Sequence, residues 1–301
     1  MSPDGGRCVW YGCGMDPLLD RLIDLAFEED LGAAGDLTTQ ATVPVGARAE
    51  ARVRAKEPLV LAGTRAFQRV FERLDPTVRL ELLAQDGDRV AAGTEVIRAA
   101  GRAHSLLIGE RPALNFLMRL SGIATQAALF AAAVQGTGAR VVDTRKTTPG
   151  WRALEKDAVR AGGCHGHRMG LFDGILIKDN HIEAAGGITA AVAGARAHAH
   201  HLLKIEVEVA NLAQVDQCLA LGVEAMLLDN MDDALLESAV RKIRDHEKEC
   251  ARKVVVEASG NMTLQRLPRV AATGVDLISM GALTHQARSV DLSMKLKLLP
   301  S

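Results

Sequence analysis

Apolar side chains between residues 16 and 32 recur at helical spacing, Leu18, Leu22 and Leu25 interleaved with Ile23 and Phe27, until Gly32 stops the run. Asp16 as a cap and Pro17 in the first turn complete the signature of a helix. Between about 48 and 103 the period shortens to two. The runs "AEARVRAKE", "TVRLELLAQ" and "GTEVIRAAG" are separated by Gly87 with Asp88 and by Gly93, and a helical stretch from about 64 to 75 interrupts them. This is the pattern of a small α+β domain. From Ser105 to about Val134 the chain is helical and rich in Ala and Leu, with Gly122 predicted to break it into two segments.

Beyond Val134 six short apolar runs recur with helical intervals between them: "RVVDT" at 140, "GILIK" at 174, "KIEVEV" at 204, "AMLLDN" at 225, "VVVEAS" at 254 and "LISMG" at 277. Such repetition predicts parallel strands with right-handed crossovers. A doubly wound open sheet and a closed or nearly closed barrel of the TIM type both satisfy it. The strand ends discriminate, because nearly every run finishes in a chemically capable side chain: Asp143 to Lys146, Lys178 with Asp179, Glu208, Asp229, and Glu257 with Ser259. An open sheet gathers its ligands at one crevice, whereas a barrel gathers residues from most strand ends around one mouth. The spread favours an α/β barrel, and six strands in place of eight make it an incomplete one.

Composition narrows the partners. At 301 residues and 48% hydrophobic the chain supports a substantial core. Lys plus Arg number 36 against 37 Asp plus Glu, so no global field attracts nucleic acid or an anionic membrane, and any anion binding must be local. Uninterrupted apolar stretches such as "AALFAAAV" at 127 fall far short of the roughly 20 residues that span a bilayer. The opening "MSPDGGRCVWYGCG" lacks a signal-type apolar core, so residues 1–14 are expected to form a loose tail. Five cysteines with no CxxC pair fit reduced thiols and a cytoplasmic location. Cys164, His165 and His167 lie close together, but no second pair has structural-zinc spacing, and a thiolate metal site is not expected.

The chemistry is carried by a series of cations: Arg111, then Arg145, Lys146, His167, Arg168 and Lys178 at or near the carboxyl rim of the barrel. Guanidinium groups bind carboxylate and phosphate bidentately and lysine adds a compact charge, so the mixture suits a ligand with several separate anionic groups. Solvated surface charge is the competing reading. Arg145 and Lys146 alone do not decide between the two, and the whole series weighs against it. Glu206 and Glu208 share one strand face opposite Val207 and Val209, and an acid inside a barrel requires a cationic or metal partner. Glu208 and Asp229, on neighbouring strands, are placed to share a divalent ion, magnesium being the natural candidate, or to stabilise developing positive charge. Ser259 with Gly260 and Gly281 with Ala282 offer backbone donors to phosphate, although such pairs are more often simple turns. A ligand with an organic dianion at one end and phosphates at the other, plus magnesium, suggests transfer between a phosphorylated sugar and an aromatic acid, although phosphosugar isomerases and decarboxylases on TIM barrels would share most of these features.

The motifs "ERPALNFLMRLSGIAT", "DTRKTTPGWRALEKDAVRAGG", "HRMGLFDGILIKDNHI", "EVEV", "LLDN", "VEASGN" and "ISMGALTH" occur in order between residues 110 and 285, within a likeness that extends from about residue 16 to 297. Together they resemble the quinolinate phosphoribosyltransferases, also called carboxylating nicotinate-nucleotide pyrophosphorylases. The resemblance implies an enzyme of NAD biosynthesis that joins quinolinate to phosphoribosyl pyrophosphate, giving nicotinate mononucleotide, pyrophosphate and CO2. It implies an N-terminal α/β sandwich domain over 15–125, to which residues 288–301 return, and an incomplete barrel over 126–287. Matched by position, Arg145, His167, Arg168 and Lys178 are implied quinolinate-binding cations, with Lys146 lining the same pocket as a catalytic residue. Arg111 is implied to come from the neighbouring subunit of a homodimer. Glu208 and Asp229 are implied near the ribose and magnesium, and Ser259, Gly260 and Gly281 in the phosphate loops.

The chain departs from the family pattern at "GGCHGHR", where Cys164 replaces a third glycine and Gly166 an asparagine. His165 there, and His198, His200 and His201 in "HAHAHH", read as solvated. Two other functions stay open: a same-fold phosphoribosyltransferase with a different acceptor, including the molybdenum-linked relatives, and a non-catalytic anion-binding barrel. Glu208 and Asp229 weigh against the last, since a pure anion binder gains nothing from acids in its pocket.

Overall fold

A computed structural model describes residues 17–300. The predicted tail and the Asp16 cap lie outside the described residues. In chain order the elements are α1 (Pro17–Leu31), α2 (Leu37–Thr42), β1 (Arg48–Ala55), β2 (Leu59–Val60), α3 (Thr64–Leu74), β3 (Arg79–Leu82), β4 (Arg89–Val90), β5 (Glu95–Arg102) and α4 (Ala103–Ala133). There follow β6 (Arg140–Val142), α5 (Arg152–Ala161), β7 (Ile175–Ile177), α6 (Asp179–Ala185), α7 (Ile188–His198), β8 (Ile205–Val209), α8 (Leu212–Leu221) and β9 (Ala225–Asp229). The chain closes with α9 (Asp233–Cys250), β10 (Val255–Ser259), α10 (Leu267–Ala272), β11 (Leu277–Ser279), α11 (Ala282–His285) and β12 (Leu292–Leu298).

The strict alternation of β1 becomes a two-faced strand: Ala49, Ala51, Val53 and Ala55 are buried while Arg48, Glu50, Arg52 and Arg54 are exposed. It pairs antiparallel with β5 on one side and with β12 on the other, in a sheet of order β12-β1-β5-β3. The end of the chain thus returns to its first third. In α1 the buried residues are Leu19 and Ile23, one helical turn apart, whereas Leu18 and Leu25 of the predicted stripe point to solvent. Leu22 and Phe27 of the same stripe pack half-buried against the core beside Ile23, so only Leu18 and Leu25 depart from it.

The predicted break at Gly122 does not occur, and α4 runs unbroken for 31 residues. Gly122 is needed for a different reason. A Cβ there would lie 1.9 Å from the carbonyl oxygen of Arg288, because the returning chain crosses the helix at this point, and the Val290 amide donates to the Met118 carbonyl beside it. α4 is also long and apolar enough to cross a membrane, which short uninterrupted runs did not reveal. Its apolar side chains, among them Leu106, Leu114, Leu117 and Ile123, are instead buried against α3, α5 and the four-stranded sheet. Each contributes about 2 kcal/mol through the area it removes from water.

The six predicted parallel strands are all present, in the order β6-β11-β10-β9-β8-β7. β6 and β7, consecutive in the chain, are the two edges, so the barrel is open between them. The seam is partly filled by the segment after α5: the His165 amide donates to Val141 O (2.9 Å), and the Asp143 amide donates to His165 O (3.1 Å). Cys164, the departure from the family pattern, is buried here and its thiol points at Ala127 O (3.2 Å). Burial pushes that thiol up to about 12. His165, His198, His200 and His201 are exposed, as expected.

Candidate active site

Register fixes which side chains meet at the carboxyl end of the barrel. Glu208 and Glu257 both lie level with Leu227, and Asp229 lies level with Ser259. Because side chains alternate faces along a strand, Glu206 falls one layer below Glu208 on the same face, while Ile205, Val207 and Val209 fill the other. Lys178, just past the end of β7, reaches across to Glu208 with Nζ–Oε2 at 2.6 Å. Its own amide donates to His181 Nδ1 (2.9 Å), which fixes the start of α6.

These ends surround one cleft of about 690 Å³ lined by Arg145, Lys146, His167, Arg168, Lys178, Asp229, Ser259, Gly260 and Gly281. Nine sequence-predicted residues therefore meet in one place, and Glu208 joins them through Lys178. Arg111 does not: it lies exposed on α4 and is absent from the lining of this cleft. The lining also includes Asn230, Asn261, His285 and Glu257, for which sequence reasoning assigned no role.

Arg145, Lys146 and Arg168 form no ion pair among the described residues; the Arg168 guanidinium donates to Gly174 O (3.1 Å). Burial and the charge of Arg145 pull the Arg168 guanidinium below its usual value. Convergent, unpaired cations make a field that favours an anion. The acids are handled differently. His167 Nε2 lies 3.2 Å from Glu257 Oε2 and 3.5 Å from Glu206 Oε2, and these two carboxylates hold the imidazole up to about 10. The Arg168 amide points at Nδ1 (2.8 Å), so Nε2 is the nitrogen that bears the proton facing the carboxylates. Charging the ring puts a second proton at Nδ1 and displaces that amide contact. Burial pushes the Glu206 carboxyl upward. Asp229 is raised by burial and by the Glu208 charge beside it.

The loop after β9 and the loop after β10 touch. Gly260 has φ +87°, and a Cβ there would stand 2.1 Å from Asn230 Oδ1, so only glycine fits. Asn230 and Asn261 are themselves left-handed, at φ 53° and 49°, and their side chains are linked at 3.2 Å. Across the cleft the Lys146 stem lies over Gly281. Its loop is braced from below: buried Glu155 accepts from the Thr148 amide (3.1 Å), the Thr148 hydroxyl (2.8 Å) and Arg119 (3.2 Å), and Arg119 also donates to Thr284 O (2.8 Å).

The comparisons with known proteins agree with this geometry. The C-terminal domain family of quinolinate phosphoribosyl transferase matches residues 123–295, and the N-terminal domain family matches residues 36–121. The chain belongs to the quinolinate phosphoribosyltransferase family. It is 44% identical over 279 residues to a probable nicotinate-nucleotide pyrophosphorylase (carboxylating) of Synechocystis sp., covering 93% of this chain and 92% of that one. A counterpart of the same name from Bacillus subtilis is 41% identical over 280 residues, covering 93% and 94%. The crystal structure of NadC from Streptococcus pyogenes superposes with a TM-score of 0.88 at 40% identity, covering 96% of this chain and all 100% of that one. Within this family the unpaired cations and the facing acids of the cleft acquire a chemical setting.

Proposed function

We propose that this chain transfers the phosphoribosyl group of phosphoribosyl pyrophosphate to quinolinate, with loss of CO2, to form nicotinate mononucleotide. The observation that carries the reading is the convergence of Arg145, Lys146 and Arg168, without carboxylate partners, on a cleft that Asp229 also lines and whose Lys178 pairs with Glu208. The cations, with His167 and Lys178, take the two carboxylates of a pyridine diacid and orient its ring nitrogen toward the sugar. That nitrogen already carries the nucleophilic lone pair, so no general base is required. As the bond from C1 of the ribose to pyrophosphate breaks, positive charge grows on the sugar. Glu208 and Asp229 complement it electrostatically. The C2 carboxylate then leaves as CO2, and C2 takes a proton in its place. The phosphates are held by backbone amides of the 259–261 and 281–282 turns.

Two carboxylates with hard oxygen donors, one of them raised by burial and further by the other's charge, suit a divalent cation, which relieves that repulsion. Glu208 and Asp229 would hold magnesium together with substrate oxygens, and the ion would neutralise phosphate charge. Arg111, exposed on α4 away from its own cleft, supports a homodimer in which each copy completes the other's site. The chain is read as a cytoplasmic enzyme with no nucleic-acid or membrane partner.

Purified protein given magnesium, quinolinate and phosphoribosyl pyrophosphate should release pyrophosphate and CO2 in equal amounts, and chelation should stop both. Pyrophosphate release without CO2 would instead indicate a different acceptor. Mixing inactive Arg111→Ala with inactive Lys146→Ala protein should restore some activity, because one hybrid site in the dimer is intact. Proven subunit exchange without recovery would exclude a shared site.

A further inference from the structure

Two opposite charges sit side by side on α5 and are both buried: Glu155 at 0% and Lys156 at 1% exposure. Neighbours on a helix point about 100° apart, so the two serve different loops. Glu155 braces the Lys146 loop as described. Lys156 pairs with Asp143, itself 0% exposed, at the end of β6. The same Asp143 oxygen accepts from the His167 amide (2.8 Å), and Lys156 Nζ donates to the His167 carbonyl (3.1 Å). The peptide groups on both sides of His167 are therefore held by one buried ion pair, and they are held at the open seam between β6 and β7.

A buried ion pair is a poor source of net stability, since desolvation offsets most of its attraction, and the second Asp143 oxygen has no hydrogen-bond partner among the described residues. Its value must lie elsewhere. We propose that Asp143 and Lys156 are positioning residues for the acceptor diacid: they fix the His167 backbone across the barrel seam so that the imidazole and the adjacent Arg168 face the cleft. This rests on the assigned reaction, because it names the substrate whose binding the pair controls. Neither side chain lines the cleft or needs to touch the ligand.

The double variant Asp143→Leu with Lys156→Met removes both charges at once, leaving no buried charge unpaired. A folded variant, judged by its melting temperature, should raise KM for quinolinate at least about tenfold through misplacement of the His167 segment. KM for phosphoribosyl pyrophosphate should stay within about twofold. Lys156→Arg, which keeps charge and donors, should recover most of the loss. If the double variant does not fold, Asp143→Asn keeps an acceptor for the His167 amide, removes the ion pair, and should show the same split at smaller size. An unchanged quinolinate KM in a folded variant would overturn the proposal, as would an equal rise in both KM values. The nitrogen NMR signals of the His167 imidazole, recorded without substrate, provide an arm independent of the reaction. They should shift in the folded variant, and identical signals would overturn the pair's role. Wild-type protein that turns over no quinolinate would defeat the assigned reaction, with the NMR arm still deciding the positioning.

Discussion

The outer face of the four-stranded sheet and the mouth of the barrel are both rich in arginine, yet they treat charge in opposite ways. On the sheet, Glu95 is shared by Arg98 (2.6 Å), Arg54 (3.4 Å) and Arg52 (3.7 Å), and Arg98 reaches Glu81 as well (3.3 Å). Arg52, Arg54 and Arg98 thus each have a nearby acid, and this cluster has little charge left to attract a ligand. At the mouth, Glu206 and Glu257 are committed to His167 and Glu208 to Lys178, Asp229 accepts from the Asn230 side-chain amide (2.7 Å), and Arg145, Lys146 and Arg168 are left without carboxylates. Arginine content is therefore a poor guide to anion binding. What matters is which cations the fold leaves unpaired.

The largest test of this contrast removes one arginine from each region. Arg168→Ala should lower kcat/KM for quinolinate about 100-fold, the loss expected from charge-assisted hydrogen bonds to a carboxylate. Arg98→Ala on the sheet should change it less than about twofold, as exposed ion pairs contribute little. Comparable losses from both would erase the distinction. Next in size is the joint that ties the sheet to the barrel. Gly122→Ala must push the Arg288 backbone away and should lower the free energy of unfolding by about 1–3 kcal/mol, read from the urea midpoint. A neutral result would mean that the crossing is looser than 1.9 Å implies.

A smaller effect should appear in acid. Burial pushes Asp75 upward, but hydrogen bonds from Ser105 (2.6 Å), Thr77 (2.7 Å) and Arg102 (2.9 Å) outweigh it, and its carboxyl lies well below the usual range. A depressed folded value means that the stabilisation is complete above the unfolded pKa of about 3.9 and is lost as pH falls through the folded value. Asp75→Asn should therefore be less stable than wild type at neutral pH, and the difference should shrink on acidification below about pH 4. A difference independent of pH would exclude the linkage. The smallest effect is ionic: added salt should weaken quinolinate binding measurably and leave the sheet's exposed pairs without consequence for activity.

The six barrel strands were legible because a parallel strand is a short apolar run, and each run ends where the chemistry begins. The cation series could be read for the same reason: position at a strand end determines which mouth a side chain joins. Other features depended on distant partners. Gly122 reads locally as a helix breaker, and only the chain 166 positions later, at Arg288, reveals a contact. Glu155 and Lys156 on an amphipathic helix look like surface charge, and their burial follows from the loops that fold over them. Leu18 and Leu25 fit a helical stripe as well as Leu19 does, so spacing alone could not choose the face. Glu257 was visible as a strand-end acid, but its proximity to His167 depends on a loop from the far side of the seam.

The central claim, that unpaired cations at the mouth select a pyridine diacid, is tested most directly by comparing kcat/KM for quinolinate and nicotinate with saturating phosphoribosyl pyrophosphate and magnesium. Losing one carboxylate leaves the converged cations, the half-buried Arg168 among them, without one of their partners, so quinolinate should be preferred by at least about 100-fold in wild type, and the preference should collapse in Arg168→Ala. Equal turnover of the two acids by the wild-type protein would contradict it.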